Sequence, residues 1–317
     1  MRDKNGISIG MPVYNGEEFL VKKIKSILEQ KFENFELIIS DNHSTDSTEQ
    51  ICKEFQKKDK RVLYCRQEQN IGPVQNYILT LEKAKFDYFL WTAVDDVISS
   101  DFLEKNYKIL LENQEIVCSA SQVEYFGDSR KFWHDKSENS LLKFFIKKTV
   151  ERFQNIQNIP ANGEFSSKFR KYLKYRGHHH IFYGMYRTNQ LRNIVKDFSS
   201  TKNKPNTIDL GIMLVALSYG DFYVINEILM HRYDGGMSSQ GFFDFKKSQK
   251  LKFIEAISYN YPFSKWCIEK FGFKLFLKNV DLFVLWNIEP MFFFMVNILR
   301  CIIEKKNNIK GNKKVIT

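Results

Sequence analysis

The fold is decided by residues 7–41, which read ISIGMPVYNGEEFLVKKIKSILEQKFENFELIISD. The two ends of this stretch, 7–13 and 35–40, are short, apolar and rich in β-branched residues, as expected of strands buried on both faces. Between them, Glu17–Glu29 repeats its apolar residues at helical spacing. A strand, a helix and a second strand in this order predict a βαβ unit with parallel strands.

The same alternation continues to about residue 125. Further strands are predicted at 62–65, 88–92 and 116–126, and further helices at Ser47–Lys57, Pro73–Lys83 and Asp101–Asn113. We therefore expect an α/β fold in which helices flank a mostly parallel sheet. Such sheets bind ligands beyond the carboxyl ends of their strands, so the loops after the strands should carry the functional residues.

Composition narrows the class of protein. The 317 residues include 48 Lys and Arg against 37 Asp and Glu, a net charge of +11, but the basic residues are scattered and form no RNA-binding motif. This pattern favours an anionic membrane surface or a phosphorylated ligand over nucleic acid as the partner.

The five Cys form no CxxC pair, which argues against a disulfide framework or zinc site and fits a reducing compartment. The first apolar run is too short for a signal peptide, so we expect a cytoplasmic protein.

The second half of the chain has a different composition. Residues 128–176 are rich in Lys, Asn and Phe and predict a helical insertion over the functional face. Two helical patterns lie within it, at 141–153 and 169–176. Regular order is expected to resume at 180–192, followed by an apolar helix at 209–220 and a strand pair, or a strand and loop, at 221–233.

The tail from about Gln240 predicts a helical C-terminal region. Its segment 282–299, LFVLWNIEPMFFFMVNIL, barely reaches the length that spans a bilayer, and Asn287, Glu289 and Pro290 make spanning costly. A helix in the membrane interface, followed by the basic end of the chain, suits this composition better. A packed C-terminal helix and a true span remain as alternatives.

The strongest chemical signal is WTAVDD, residues 91–96, in which a buried strand leads into two adjacent carboxylates, Asp95 and Asp96. Two like charges at a strand end are unfavourable unless a cation or hydrogen-bond donors offset them. Mg²⁺ or Mn²⁺ prefers a few carboxylates together with phosphate oxygens, and this pair would supply the carboxylates. The alternative is an Asp–Asp turn that caps the next helix.

Polar residues also follow the first two predicted strands, as PVYNGEE and DNHSTDST. Asp41 ends the second strand, where a carboxylate can accept hydrogen bonds from a nucleobase or ribose; its alternative is a turn formed by its own side chain. The chain lacks the Gly-rich dinucleotide motif and the P-loop, so another mode of nucleotide binding is implied.

Taken together, four segments resemble the family-2 glycosyltransferases of the GT-A fold, in the family's order and spacing across most of the first 105 residues. The segments are MPVYNGEEFL, KFENFELIISDNHSTDSTEQI, QNIGPVQNY and WTAVDDVIS. The resemblance implies a Rossmann-like nucleotide-sugar-binding domain. It also implies that one set of residues shapes the nucleotide pocket, namely Pro12, Tyr14, Asn15, Gly72 and Asn76. By the same resemblance, Asp41 contacts the base, often uracil, Asp95 contacts the ribose side, and Asp96 ligates a divalent cation, Mn²⁺ or Mg²⁺, on the diphosphate.

The family also implies an acidic catalytic base in the second half. The matching segment is TIDLGIMLVALSYG, which makes Asp209 the candidate. As a general base it would take the proton of the acceptor hydroxyl. Asp209 is also suited to be the N-cap of its helix, a role compatible with the first. Ile208 stands where many relatives carry Glu.

The loop after this helix departs from the family pattern. It reads HRYD at 231–234, so that His231 aligns with the family's Tyr and Asp234 with the His that the family places near metal or diphosphate. Arg232 is expected to neutralise diphosphate charge. The run HHH at 178–180 is more typical of a solvated or acceptor-lining loop than of a metal site.

The sequence therefore predicts an inverting, metal-dependent enzyme that moves a sugar, of hexosyl type, from a nucleoside-diphosphate sugar, with UDP favoured, to an acceptor hydroxyl. The expected parts are a nucleotide-sugar-binding part at 1–125, an acceptor-side part with the insertion at 126–240, and a helical, membrane-associating region at 241–317. The resemblance and the Phe-rich tail together suggest surface polysaccharide or glycolipid synthesis on a glycan or lipid-linked acceptor at the inner face of the membrane.

Two other classes of function stay open. A nucleotidyltransferase also uses a metal on an α/β sheet, but it would show a Gly-rich loop with a basic residue where this chain has PVYNGEE. A non-catalytic sugar-binding module on the same fold would bind a donor without turnover.

Overall fold

The structure is a computed structural model that describes residues 5–126, 160–174, 179–200, 208–233 and 261–287. The chain divides into two compact units, one formed by residues 1–200 and 208–243 and the other by 201–207 and 244–317. Each unit is described by itself.

The first unit is an α/β fold. Its strands are β1 (Ile7–Val13), β2 (Phe35–Asp41), β3 (Val62–Arg66), β4 (Tyr88–Trp91), β5 (Val97–Ile98), β6 (Ile116–Phe126), β7 (Met185–Arg187) and β8 (Asp221–Tyr233). Its α-helices in the described ranges are α1 (Glu17–Leu28), α2 (Thr48–Lys58), α3 (Pro73–Glu82), α4 (Phe102–Glu112), α5 (Phe165–Lys174), α6 (Thr188–Ser199) and α7 (Ile208–Ala216), and a 3-10 helix covers His179–Tyr183.

The strands form one sheet in the order β3-β2-β1-β4-β7-β6-β8-β5. The first four strands of this order are parallel, β7 is antiparallel to both of its neighbours, β8 is parallel to β6, and β5 is antiparallel to β8. The predicted α/β fold with flanking helices is confirmed, and the sheet is mixed. Because β2 and β4 lie on opposite sides of β1, the chain reverses direction across the sheet between β1 and β4, where sheets of this kind form a ligand crevice.

The predicted strands and helices of the first 126 residues match the observed ones to within about one residue at each end. Their patterns are local: β1 and β2 are buried almost throughout, and α1 buries Leu20, Ile24 and Ile27 at helical spacing. The segment 221–233, predicted as a strand pair or a strand and loop, is one strand of 13 residues. Its pairing with β6 shifts register beside Gln122, which breaks the strict alternation of buried residues.

Much of the predicted insertion, residues 127–159 and 175–178, lies outside the described residues. The helix predicted within 169–176 is present as α5. Its Lys168 is buried and donates to Oδ1 of Asp221 and to the carbonyl of Gly220, each at 2.8 Å. These bonds fix α5 against the start of β8.

The second unit is helical where it is described. It contains α8 (Tyr261–Phe271), α9 (Phe273–Leu277) and a helical stretch at 280–287. Gly272, with φ of 86°, separates α8 from α9 in a conformation that favours glycine. No helix in the described ranges is both long and apolar enough to cross a membrane. Residues 288–317, which hold most of the predicted interfacial segment, fall outside those ranges.

Candidate active site at the carboxyl ends of β1, β2 and β4

The loops after β1 and β2 are hydrogen-bonded to each other. The backbone N–H of Asn15 donates to Oγ of Ser44 at 2.9 Å, and Oδ1 of Asn15 accepts from the N–H of Thr45 at 2.8 Å. The N–H of Gly16 donates to Oγ1 of Thr48 at 2.9 Å. Asn15 has a positive φ of 49°, which Asn tolerates better than most residues. The predicted pocket residue Asn15 therefore shapes the loop itself.

The helices that follow these two loops are held together at their first turns. The N–H of Glu17 donates to Oδ2 of Asp46 at 3.1 Å, and the N–H of Ser47 donates to Oε2 of Glu17 at 2.8 Å. Each carboxylate thus satisfies an unpaired N–H at the other helix's amino end, where negative charge is also favoured. The amino ends of α1 and α2 consequently face the same side of the sheet.

Asp41 lies at the end of β2 and is completely buried. Its Oδ1 accepts from the N–H of Ser44 at 2.8 Å and its Oδ2 from the hydroxyl of Tyr64 at 2.7 Å. Burial and the Asp41 carboxylate raise the pKa of Tyr64. The turn expected as the alternative role of Asp41 is present. Its contact to a base stays a prediction.

The other predicted pocket residues lie around Asp41. Pro12 pairs with Ser40 and Val13 with Asp41 between β1 and β2. Tyr14 is 36% exposed at the end of β1. Asn76 is buried on α3, where its Nδ2 donates to the carbonyl of Ser40 at 2.8 Å.

Gly72 precedes α3 with φ of 83°, a backbone conformation that a side chain would strain. Pro73 follows it in the first turn of the helix, as the sequence predicts. The role of Gly72 and Asn76 in a pocket wall stays a prediction.

Asp95 and Asp96 lie in the short loop between β4 and β5. Asp96 is 1% exposed, and neither of its carboxylate oxygens accepts a hydrogen bond of good geometry from the described residues. Nε of Arg232 lies 3.3 Å from its Oδ1. Burial raises the pKa of Asp96 to about 6, with Arg232 lowering it and Asp95 raising it. The chain thus holds a buried carboxyl group beside another carboxyl and leaves its oxygens available.

Arg232, near the end of β8, is held in place by two aromatic residues. Its Nη1 lies 2.8 Å from Nδ1 of His180, and its guanidinium lies 4.8 Å from the centre of the Tyr183 ring. Because arginine only donates, Nδ1 of His180 accepts, which puts the proton of a neutral imidazole on Nε2. That Nε2 hydrogen-bonds the hydroxyl of Tyr125. His180 therefore orients Arg232 toward Asp96.

Asp209 lies in the first turn of α7, as the sequence predicts, and its Oδ1 accepts from the N–H of Leu210 at 2.9 Å. It also acts electrostatically on Tyr183. Burial raises the pKa of the Tyr183 phenol, Arg232 lowers it, and Asp96 and Asp209 raise it further. The charges of Asp209 and Asp96, from different parts of the chain, thus both act on Tyr183.

Residues 8–187 match the family described as Glycosyl transferase family 2. The chain belongs to this family. The matched part includes Asp41, at the end of β2, and the loop that carries Asp96. Asp209 and Arg232 lie beyond the matched part.

Two bacterial glycosyltransferases illustrate how the chain relates to the family. An uncharacterized glycosyltransferase of Haemophilus influenzae is 41% identical over 111 residues, which are 35% of this chain and 44% of that protein. A putative teichuronic acid biosynthesis glycosyltransferase of Bacillus subtilis, TuaG, is 31% identical over 119 residues, 38% of this chain and 46% of that protein. The chain spans less than half of the length of each relative.

Among solved structures, S. aureus TarS 1–349 in complex with UDP-GlcNAc is similar with a TM-score of 0.56 at 17% identity. The similarity covers 83% of this chain and 66% of that chain. At this level of identity it shows the fold, and the predicted GT-A fold is confirmed.

This member of the family also buries a lysine, Lys23, whose role its sequence pattern alone did not predict. Lys23 on α1 is 1% exposed, and its Nζ finds no hydrogen-bond partner in the described residues. Burial lowers its pKa to about 8, while Asp96 and Asp95 act in the opposite direction. Lys23 lies three residues after Leu20 and four before Ile27, on the apolar stripe of α1. A charge on that stripe was the signal that could have identified it.

The histidines of this family member divide between two faces. Nδ1 of His231 lies 3.2 Å from Oε2 of Glu124, and strand alternation directs it away from the face that Arg232 occupies. His180 joins the Arg232 cluster, whereas His178 and Asp234 lie outside the described residues. Within those residues, no group of three or more His, Cys, Asp or Glu side chains is arranged to hold a metal ion.

Proposed function

We propose that this family-2 glycosyltransferase transfers a sugar, with inversion, from a nucleoside-diphosphate sugar to an acceptor hydroxyl, and that a divalent cation binds at Asp96. The observation that carries the proposal is the pair of adjacent carboxylates, Asp95 and Asp96, at the crevice between β1 and β4, with Asp96 buried beside Arg232 and without a side-chain hydrogen bond of good geometry in the described residues. Two neighbouring carboxylates at a buried site repel each other, and a cation that binds them offsets that cost.

The residues present fit a cation that is shared with a diphosphate. Asp96 offers a buried carboxylate whose oxygens accept no hydrogen bond of good geometry in the described residues, and Asp95 is its neighbour. Mg²⁺ and Mn²⁺ commonly take one or two carboxylates from the protein and their other ligands from phosphate and water. The absence of a larger ligand cluster among the described residues agrees with this mode. When bound, such a cation stabilises the charge of a departing diphosphate.

The nucleotide would occupy the loops after β1 and β2. These loops are fixed by their hydrogen bonds, and the amino ends of α1 and α2 lie side by side, joined through Glu17 and Asp46. We propose that Tyr14 and Asn15, with the loop held by Asp41, contact the nucleoside. UDP is the favoured nucleotide, since TarS, of the same fold, has been solved with UDP-GlcNAc.

We assign Asp209 as the general base. In an inverting transfer the acceptor oxygen forms its bond to the anomeric carbon as the bond from that carbon to the diphosphate oxygen breaks. The hydroxyl proton passes to Asp209, and the departing oxygen carries the negative charge. Arg232 stands beside Asp96 with a fixed positive charge for that oxygen.

Nucleotide release with a panel of UDP-sugars and Mn²⁺ tests the proposal. The wild-type protein should release UDP slowly without acceptor, and Asp96→Asn should abolish the release and the Mn²⁺-dependent binding of UDP. Asp87→Asn is the matched control, because Asp87 is exposed at the opposite end of the same strand. Near-normal release by Asp96→Asn, with an unchanged circular dichroism spectrum, would refute the cation assignment. Pyrophosphate as product would indicate a nucleotidyltransferase, and binding without turnover a sugar-binding module.

We further propose a surface polysaccharide or glycolipid as the product, made on the inner face of the membrane. TuaG is named for teichuronic acid biosynthesis. In the second unit, Phe273 and Leu277 on α9 are more than half exposed, and lysines follow each of them. An apolar surface with cationic neighbours suits an anionic interface. Replacing both residues with Ser should reduce sedimentation with anionic vesicles; unchanged sedimentation would contradict membrane contact at α9.

A further inference from the structure

The acidic pair of the candidate site has two basic partners from distant parts of the chain. Arg232 reaches Asp96 from β8, and its side chain is 12% exposed. Lys23 is buried on α1, where burial lowers its pKa and the negative charges of Asp96 and Asp95 act in the opposite direction. Two carboxylates and two basic side chains therefore share one largely buried region.

The position of Lys23 follows from packing around the loop that carries Asp96. Helix α1 packs against β5, the strand that begins directly after Asp96. The turn into α1 is equally close, since a side-chain carbon at Gly16 would lie 3.2 Å from Val94. Lys23 thus lies on a helix that is fixed to both ends of the acidic loop.

A buried ammonium without hydrogen bonds is costly to the folded protein. Lys23 nevertheless stays 1% exposed, and its Nζ has no hydrogen-bond partner in the described residues. With both basic groups protonated, the formal charges of Lys23, Arg232, Asp95 and Asp96 sum to zero.

On the basis of the proposed function, we propose that Lys23 and Arg232 are counter-ions of the Asp95–Asp96 pair and that Lys23 limits the binding of a divalent cation on its own. A lone divalent cation would add two positive charges to a balanced region. A cation that arrives with the diphosphate of a donor, which carries two negative charges, leaves the balance unchanged. Lys23 thereby couples uptake of the cation to uptake of the diphosphate.

The test is the affinity of the full chain for Mn²⁺ alone, followed through the electron paramagnetic resonance signal of free Mn²⁺. Lys23→Met keeps the length of the side chain and removes its charge. We expect it to bind Mn²⁺ alone about tenfold more tightly than the wild type, because a like charge is removed from a buried site. It should also bind UDP alone more weakly, because an attractive charge is lost.

Two variants make the result specific. Lys25→Met removes an exposed lysine from the same helix and should leave both affinities unchanged. Lys23→Gln, a second neutral side chain, should shift the Mn²⁺ affinity in the same direction as Lys23→Met and guards against a folding defect, which thermal unfolding would reveal. A purely structural role of Lys23 predicts equal or weaker Mn²⁺ binding in both variants.

The outcomes separate this inference from the proposed function. If the wild type binds Mn²⁺ only with UDP and the Lys23 variants gain affinity for Mn²⁺ alone, the inference holds. If they do not gain it while UDP and Mn²⁺ still bind together, the inference is wrong and the proposed function stands. If the wild type binds no Mn²⁺ even with UDP, both are wrong.

Discussion

Asp41 and Asp96 are two buried aspartates at the carboxyl ends of β2 and β4, the parallel strands on either side of β1, and their carboxylates have different hydrogen bonding. Both oxygens of Asp41 are hydrogen-bonded, by the N–H of Ser44 and the hydroxyl of Tyr64. Neither oxygen of Asp96 accepts a hydrogen bond of good geometry from the described residues, although Nε of Arg232 lies 3.3 Å from its Oδ1 and the backbone N–H of Tyr233 acts on it. The first aspartate is bonded more completely by the chain than the second, as expected if the second binds the proposed cation.

Within one crevice, this difference separates a carboxylate that holds its loop in shape from a carboxylate that the chain bonds less completely. Hydrogen bonds that are closed within the chain stabilise a loop and give it one shape. Buried groups that lack partners cost stability and persist where binding requires them. The hydrogen bonds of Asp41 are of the first kind, and the carboxylate of Asp96 is an example of the second under the proposed function.

The strongest test of whether Asp41 holds its loop in place is the Asp41→Ala variant. It would leave the hydroxyl of Tyr64 and the N–H of Ser44 without their acceptor. We expect the free energy of unfolding to fall by about 3 kcal/mol, since each unsatisfied buried group costs about 1–3 kcal/mol. Urea denaturation measures this, with Asp87→Asn as an exposed control. A loss under about 1 kcal/mol would mean that Asp41 does not hold its loop.

A second variant tests whether Asp209 on α7 takes part in the reaction. Asp209→Asn should lower the turnover number by about 100-fold or more, the usual scale for a lost general base. Donor affinity should stay the same, because the assigned role concerns the acceptor proton. Single-turnover kinetics and UDP-sugar titration measure the two quantities separately. Unchanged turnover would remove Asp209 from the proposed mechanism.

A smaller effect is expected for Arg232→Lys. Lysine keeps the charge but cannot contact Asp96 and His180 at once with a planar group. We expect the affinity for UDP with Mn²⁺ to fall about tenfold, as for the loss of one strong charge-assisted contact. Isothermal titration calorimetry provides the measurement. Wild-type affinity would show that only the charge of Arg232 matters.

The smallest effect is expected on stability, when two buried threonines are each replaced by valine. Thr92, in the loop before Asp96, has a hydroxyl without a partner in the described residues, whereas Thr188 donates to the carbonyl of Phe86 at 2.7 Å. Thr92→Val should leave stability unchanged or raise it by up to about 1 kcal/mol, and Thr188→Val should lower it by about 1–2 kcal/mol. Thermal unfolding of both variants gives the comparison. Equal losses in the two would contradict the distinction between the regions.

The sequence predicted well what depends on local pattern. The bounds of β1 to β4 and α1 to α4 follow from periodicity, and the carboxylates follow from their place after strands. The partners of those carboxylates could not be predicted in this way. His180, Tyr183 and Lys23 acquire their roles only when β8, the 3-10 helix and α1 pack around the 92–96 loop, and this packing leaves no mark in local periodicity. The charge of Lys23 on an apolar stripe is the exception.

The parallel pairing of β8 with β6 also has a consequence for folding. It joins residues such as Ile116 and Asp221, which are far apart in the chain, and contacts of long sequence separation form slowly because a large loop must close first. Arg232 lies on the later of these strands. We therefore expect the βαβ units of β1 to β4 to fold early. Arg232 should reach Asp95 and Asp96 among the last events of folding, so the protein should become able to bind its ligand only once β8 has docked.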